Sequence, residues 1–222
     1  MKSKFFTLAS SFLLLALTLR CDGQTNAAPK GGYIRFWDML PANNGSFEVC
    51  KASETSGASL LNGTAYQYSS YVEFPVARYR LVVFRKGDRN TPLKSFDIDL
   101  KADTYFTIIV SPQSIDAFDD TNDPKATTGS LTIRNYFPGL TVSVSSDTQT
   151  IAAAVAYGQS TVAPGFQLKR VPLVLRTKLP NGTPAESTAE ADFTASRRAS
   201  LLIIPDSYGR FRPRVTIDGS NR

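Results

Sequence analysis

A chain of 222 residues, 42% apolar and only 20% charged, can bury one large core or two domain cores of ~100 residues, and is too apolar to be disordered. The complete absence of histidine excludes Ser-His-Asp and Cys-His nucleophiles, His-bearing zinc sites and histidine acid–base catalysis. The formal charge of +6 falls to about +3 once Lys2, Lys4 and Arg20 leave with an amino-terminal leader, short of a nucleic-acid footprint.

That leader comes first in the chain. Lys2 and Lys4 precede an apolar run from Phe5 to Leu19, the pattern of a secretory signal over residues 1–21 with cleavage between about 21 and 28. The run is too short and wrongly flanked for a membrane span, and no later run approaches the ~18 apolar residues one requires. A periplasmic or secreted protein with no transmembrane segment is expected. Arg20 stands where a lipoprotein signal needs a small residue, so lipidation of Cys21 is disfavoured. The other cysteine, Cys50, sits in FEVC and reads as a buried thiol; two cysteines make no disulfide framework.

Residues 22–31 are small and polar, a flexible lead-in. GYIRFWD (32–38) alternates sharply, with Tyr33, Arg35 and Trp37 on one face and Ile34 and Phe36 on the other. SFEVCK follows as a second strand. Residues 52–65 read as a loop or irregular edge with Asn62-Gly63 as a turn. YQYSSYVEFPVARYRLVVFRK reads as strands broken near Pro75. GDRNTP (87–92) is a hairpin turn, KSFDIDL alternates cleanly, and TYFTIIV closes the first unit. Residues 113–128 read as an acidic linker. Strands then follow in SLTIRNYF, GLTVSVSSD, IAAAVAYGQS, APGFQLKRVPLVLRTK, AEADFTA, ASLLIIPD and RFRPRVTID.

The halves echo each other. LKADTYFTIIVSP (100–112) matches FTASRRASLLIIP (193–205) at an offset of 93, and ARYRLVVFRKGDRNTP (77–92) matches KRVPLVLRTKLPNGTP (169–184) at 92. Thr132-Ile133-Arg134 is read as answering Tyr33-Ile34-Arg35. The expected fold is all-β: two tandem Ig-like/Greek-key β-sandwich domains related by internal duplication, at 30–112 and 129–222, with six or seven strands each. A single large barrel is the alternative.

Little in the chain carries chemistry. Glu48, Glu73, Asp97 and Asp99 lie on strands and read as the polar half of a sheet rather than a glycosidase pair. Asp116, Asp119, Asp120 and Asp123 could gather calcium, but the loop glycine and closing Glu of a calcium motif are missing. No catalytic residue, metal or cofactor is expected. Asn-Gly-Ser/Thr triplets at Asn44, Asn62 and Asn181 read as turns. Tyr33, Trp37, Tyr66, Tyr68, Tyr71, Phe74 and Tyr79 either present rings to a sugar or, the favoured reading, fill core and edges. Arg197, Arg198, Arg210, Arg212 and Arg214 are the candidate binding residues, forks for carboxylates or a charged edge that resists sheet pairing.

APKGGYIRFWD, YQYSSYVEFPVARYRLVVF, LKADTYFTIIVSP, GSLTIRNYF and LLIIPDSYGRFRPRVTI, in that order, resemble the periplasmic alginate O-acetylation accessory family. The resemblance implies a two-domain, non-catalytic adaptor whose partners are secreted or membrane-associated acetyltransferase proteins. An acidic polysaccharide on the arginine edges would be a second partner. Departures are the long 52–65 stretch and the arginines of the last strand. More distantly the chain resembles duplicated extracellular bacterial β-sandwich domains of unknown function, though FPVARYRLVVF has Ala77-Arg78 where they carry glycine. That relation implies a carbohydrate-binding or adhesion module of the cell envelope.

Overall fold

The computed structural model describes residues 30–40, 47–54, 59–63, 66–147, 149–206 and 208–219; the leader, Cys21 and Asn44 lie outside them. Strands dominate. The first half carries β1 (Gly32–Asp38), β2 (Phe47–Lys51), β3 (Leu61–Gly63), β4 (Gln67–Tyr68), β5 (Val72–Phe74), β6 (Ala77–Arg85), β7 (Lys94–Leu100), β8 (Tyr105–Val110) and β9 (Ile115–Asp119). The second carries β10 (Gly129–Asn135), β11 (Thr141–Ser145), β12 (Thr150–Ala156), β13 (Ser160–Phe166), β14 (Arg170–Lys178), β15 (Pro184–Asp192), β16 (Arg198–Pro205) and β17 (Phe211–Ile217). Among the described residues no helix is long and apolar enough to cross a membrane.

Four sheets pair off into two sandwiches, not one barrel. In the first, β4-β1-β8-β9, with β5 also on β1, faces β3-β2-β6-β7; in the second, β13-β10-β16-β17 faces β12-β11-β14-β15. The order of strands is the same in both halves. In each, the first strand pairs parallel with the second-last, β1 with β8 and β10 with β16. This is the internal duplication that the sequence echo predicts.

Register fixes which residues correspond, and it corrects one expectation. Thr107 pairs with Arg35 and Ser200, 93 residues on, pairs with Thr132. Arg35 therefore corresponds to Thr132, and Trp37 to Arg134, at an offset of 97 rather than the 99 implied by matching the two Ile-Arg pairs. The glycines agree: a Cβ on Gly32 would lie 2.3 Å from Leu100, and one on Gly129 would lie 2.5 Å from Phe193, itself the counterpart of Leu100. Core side chains pack tightly onto both strand starts, so each must be bare.

Three further differences have local causes. The 113–128 stretch holds β9, hydrogen-bonded along β8, because Ile115, Ala117 and Phe118 supply apolar surface among the acids. Asn62-Gly63 is no turn: both residues lie in β3, where Gly63 lets the Phe36 ring approach. Among the described residues the halves hold nine and eight strands: each sandwich has four strands per sheet, and in the first half the strand beside β1 is split into β4 and β5.

Ile34, Phe36, Leu81, Val83, Ile108 and Val110 fill the first core; Leu131, Ile133, Leu173, Leu175, Leu201 and Ile203 fill the second. The outer strand β14 alternates buried and exposed, as a sheet with one wet face should. β8 and β16 do not: their apolar runs TIIV and LLII are buried on both faces. Their second face is the junction of the sandwiches. Trp37, Met39 and Ile109 meet Tyr136, Leu202 and Ile204 there, with Phe118 and Tyr66 against them. Ile109 and Leu202 are counterparts, so the halves dock through equivalent surfaces, like the isologous interface of a dimer.

Candidate functional site

The junction has a polar centre. Arg35, 3% exposed, points from β1 across to the second sandwich. Its Nε donates to Thr107 Oγ1 at 2.7 Å, and its Nη2 donates to Asp120 Oδ2 at 3.3 Å and to Asp218 Oδ1. Its guanidinium plane lies between Trp37 and Tyr71, 4.0 and 4.3 Å from the two ring centroids. The Thr107 and Tyr71 hydroxyls also donate to Asp120 Oδ2, and Ser200 donates to Asp218 Oδ2 at 2.7 Å. Asp120 and Asp218 are themselves counterparts: their N–H groups donate to Tyr105 O and Arg198 O, 93 residues apart. Burial, then the neighbouring charge of Asp218, pushes the Asp120 carboxyl up against the pull of Arg35. This hub is closed, and it welds the halves.

Beside it lies an open groove of about 230 Å³, lined by Phe118, Asp119, Ser130, Thr132, Arg134, Ser160, Val162 and Arg198, with Asp120 and Asp218 at its back. Arg134 projects from β10, 5% exposed, with its guanidinium 4.3 Å from the Phe118 centroid. Its guanidinium meets the Tyr136 hydroxyl, but Nε is buried without a hydrogen-bond partner. No carboxylate among the described residues forms an ion pair with it. An unpaired buried donor costs on the order of 1–3 kcal/mol, which makes Arg134 the least satisfied charged group lining the groove. A larger hollow at the end of the second sandwich, about 440 Å³ and bordered by Asp147, Lys169 and Arg170, has no such group. Arg170 there is already paired with Glu190 and Asp192.

The five predicted arginines do not form one array. Arg197 and Arg198 stand at the start of β16: Arg197 Nε donates to Ala126 O at 3.3 Å, and Arg198 Nη1 donates to Asp119 O at 2.7 Å. Arg198 reaches the groove. Arg210 and Arg212 lie at the other end of β16, roughly 20 Å away by strand rise, both on the Asp206 carboxylate at 2.8 and 3.3 Å. Arg214 is exposed on the edge strand β17. Among the described residues no cluster of acids could hold a metal; Asp120 of the acidic run is committed to the hub instead. Of the aromatic row, Trp37, Phe74 and Tyr79 are buried and Tyr33 stacks on Tyr105 at 4.6 Å, so core and edge claim most of the rings.

Sequence reasoning missed Arg134 as a site residue. Its signal was present: an arginine inside an apolar strand of each half, opposite unbroken runs that imply burial on two faces.

Neither a protein-family model nor a curated protein sequence matches the chain. A solved structure described as alpha-glucan recognition by family 41 carbohydrate-binding modules from streptococcal virulence factors is similar to it at 13% identity. The match covers 77% of this chain and 92% of that one, with a TM-score of 0.24.

Proposed function

We propose that the protein is a non-catalytic binding module that works outside the cytoplasm and engages a polysaccharide through the groove between its sandwiches. The groove itself carries this reading. Two arginines, three aspartates and three hydroxyls line a small hollow beside Phe118, which is the mixture that hydroxyl-rich ligands need. The leader supports the location, and a chain without histidine supports binding over catalysis. Affinity electrophoresis through gels loaded with neutral or acidic polysaccharides tests it. Retardation by at least one polymer is the expected result; unretarded migration in every gel would overturn the reading.

A second reading is the adaptor in exopolysaccharide O-acetylation, as in alginate. The resemblance over LKADTYFTIIVSP supports it, as does the separate basic end around Arg210, Arg212 and Arg214, which leaves a surface for a protein partner away from the groove. Co-purification with a secreted acetyltransferase, weakened by reversing Arg212 and Arg214 to Glu, is the expected outcome. A purified pair that fails to associate at low salt would remove this reading.

A further inference from the structure

The duplication supplies an internal control for the groove. Four side chains crowd the equivalent place in the first sandwich. Tyr33 stacks on Tyr105, and Tyr71, which continues the β5 register opposite Arg35, closes over the Arg35 guanidinium and meets Tyr105 edge-on at 5.0 Å. Strand register names their counterparts. Tyr33 and Tyr105 pair across β1 and β8 as Ser130 and Arg198 pair across β10 and β16. Arg35 gives way to Thr132, and the strand position opposite it, Tyr71, gives way to Val162. Every one of these replacements lines the groove. Three phenol rings have been exchanged for a hydroxymethyl, an isopropyl and a solvent-exposed arginine, and Val162 is left 61% exposed. The groove is the space of the rings that the second copy lacks.

We infer that this space is a subsite for one neutral pyranose ring, bound edge-on by its hydroxyls and supplied by the polysaccharide of the proposed function, on which the inference rests. Size comes first. About 230 Å³ lies below the ~300–1,000 Å³ of a drug-sized pocket and accepts a single six-membered ring rather than an oligomer. Charge comes second. Arg134 and Arg198 face Asp119, Asp120 and Asp218, with Arg35 behind the last two, so positive and negative groups balance and a ligand carboxylate would gain little. Polarity comes third. The Arg134 and Arg198 guanidiniums donate, Asp119 accepts, and Ser130, Thr132 and Ser160 do both, which suits vicinal hydroxyls that donate and accept in turn. Val162, 61% exposed, offers apolar surface to the ring's C–H groups.

The test is a ¹H–¹⁵N titration of the full chain with the methyl pyranosides of glucose, mannose and galactose, with glucuronate and acetate as charged controls. The Arg134 Nε–H resonance reports directly on the site. The expected result is a saturable shift of that resonance, and of the Thr132 and Ser160 amides, with at least one neutral glycoside. Ser160→Tyr, on an exposed edge-strand position, refills the space, and Arg134→Lys keeps the charge but removes the guanidinium; each is expected to weaken binding, read at the Thr132 amide, at least tenfold. Thermal melting of both variants checks their folding. Shifts unaffected by Ser160→Tyr overturn the inference, as do equal shifts with acetate, which would mark an adventitious ion only. Polymer retardation that survives both variants overturns the subsite and the groove's part in the proposed function, leaving polysaccharide binding at another surface. Monosaccharide binding without polymer retardation would do the reverse.

Discussion

Arg35 and Asp218 lie 183 residues apart in the chain and form a buried ion pair between the two sandwiches. The pair is costly to break from either side. Arg35→Met would leave Asp120 and Asp218 without the cation hydrogen-bonded to both, at a cost of about 3–5 kcal/mol at pH 7. Urea unfolding should show that loss. It should shrink as the pH falls and Asp120, its carboxyl already pushed up by burial, takes up a proton; a pH-independent loss would mean that packing, not charge, dominates.

Asp38 ends β1 with its Oδ2 buried and unpartnered. Burial pushes its pKa from 3.8 up to about 6, against the Leu40 N–H that pulls it down. A carboxyl that holds its proton more tightly when folded stabilises the fold below pH 4 and loses that contribution as pH rises through 6. Asp38→Asn should therefore match the parent at pH 4 and exceed it at pH 7 by up to about 2 kcal/mol, after allowance for solvent screening. Glu48 runs the opposite way. Its hydrogen bonds from Arg89 and then Ser59 outweigh burial and hold it at about 2 against an ordinary 4.5, so Glu48→Gln should flatten the acid limb of the stability curve between those values.

Gly158, in the turn between β12 and β13, has φ +76, and a Cβ there would meet the end of the Gln113 side chain from the first sandwich at 1.6 Å. Gln113 can swing aside; the backbone cannot change its hand. Gly158→Ala should cost about 1–2 kcal/mol from the left-handed conformation alone. The same loss, within about 0.5 kcal/mol, is expected in a Gln113→Ala background. Near-complete relief in that background would show that contact, not conformation, sets the cost.

Cys50 is fully buried against Val82 and Phe84, and burial pushes its thiol up. In a Cys21→Ser background it should resist a thiol-specific reagent in buffer and react within minutes in denaturant. Labelling in native buffer at the rate of a free thiol would place a fast local opening in β2.

The strand plan was legible because it rests on local pattern: KSFDIDL alternates, GDRNTP breaks, and LLIIP runs unbroken. Domain duplication was legible for the same reason. What escaped depends on contacts made at a distance. Acidic residues 116–123 look solvated by composition, and only the approach of Arg35 and Ser200 turns Asp120 and its counterpart Asp218 inward. Arg134 was read as an echo of Arg35, although register puts it in the place of Trp37. The arginines of the last strand were visible as an alternating set, yet a strand's length separates Arg198 from Arg212. Alternation gives the face of a residue, not its neighbours.

The parallel pairing of β1 with β8 has a consequence for the order in which the chain can fold. Arg35 must wait 72 residues for Thr107, and no shorter piece of the first half can close that ladder. A chain leaving the ribosome would hold the β8 edge of β1 open, and its core incomplete, long after β5 has paired on the other edge. Long-range pairing of this kind is slow to form. Each half would then depend on being kept apart from its neighbours until its penultimate strand arrives, so crowding at the exit, rather than final stability, would limit the yield of folded protein.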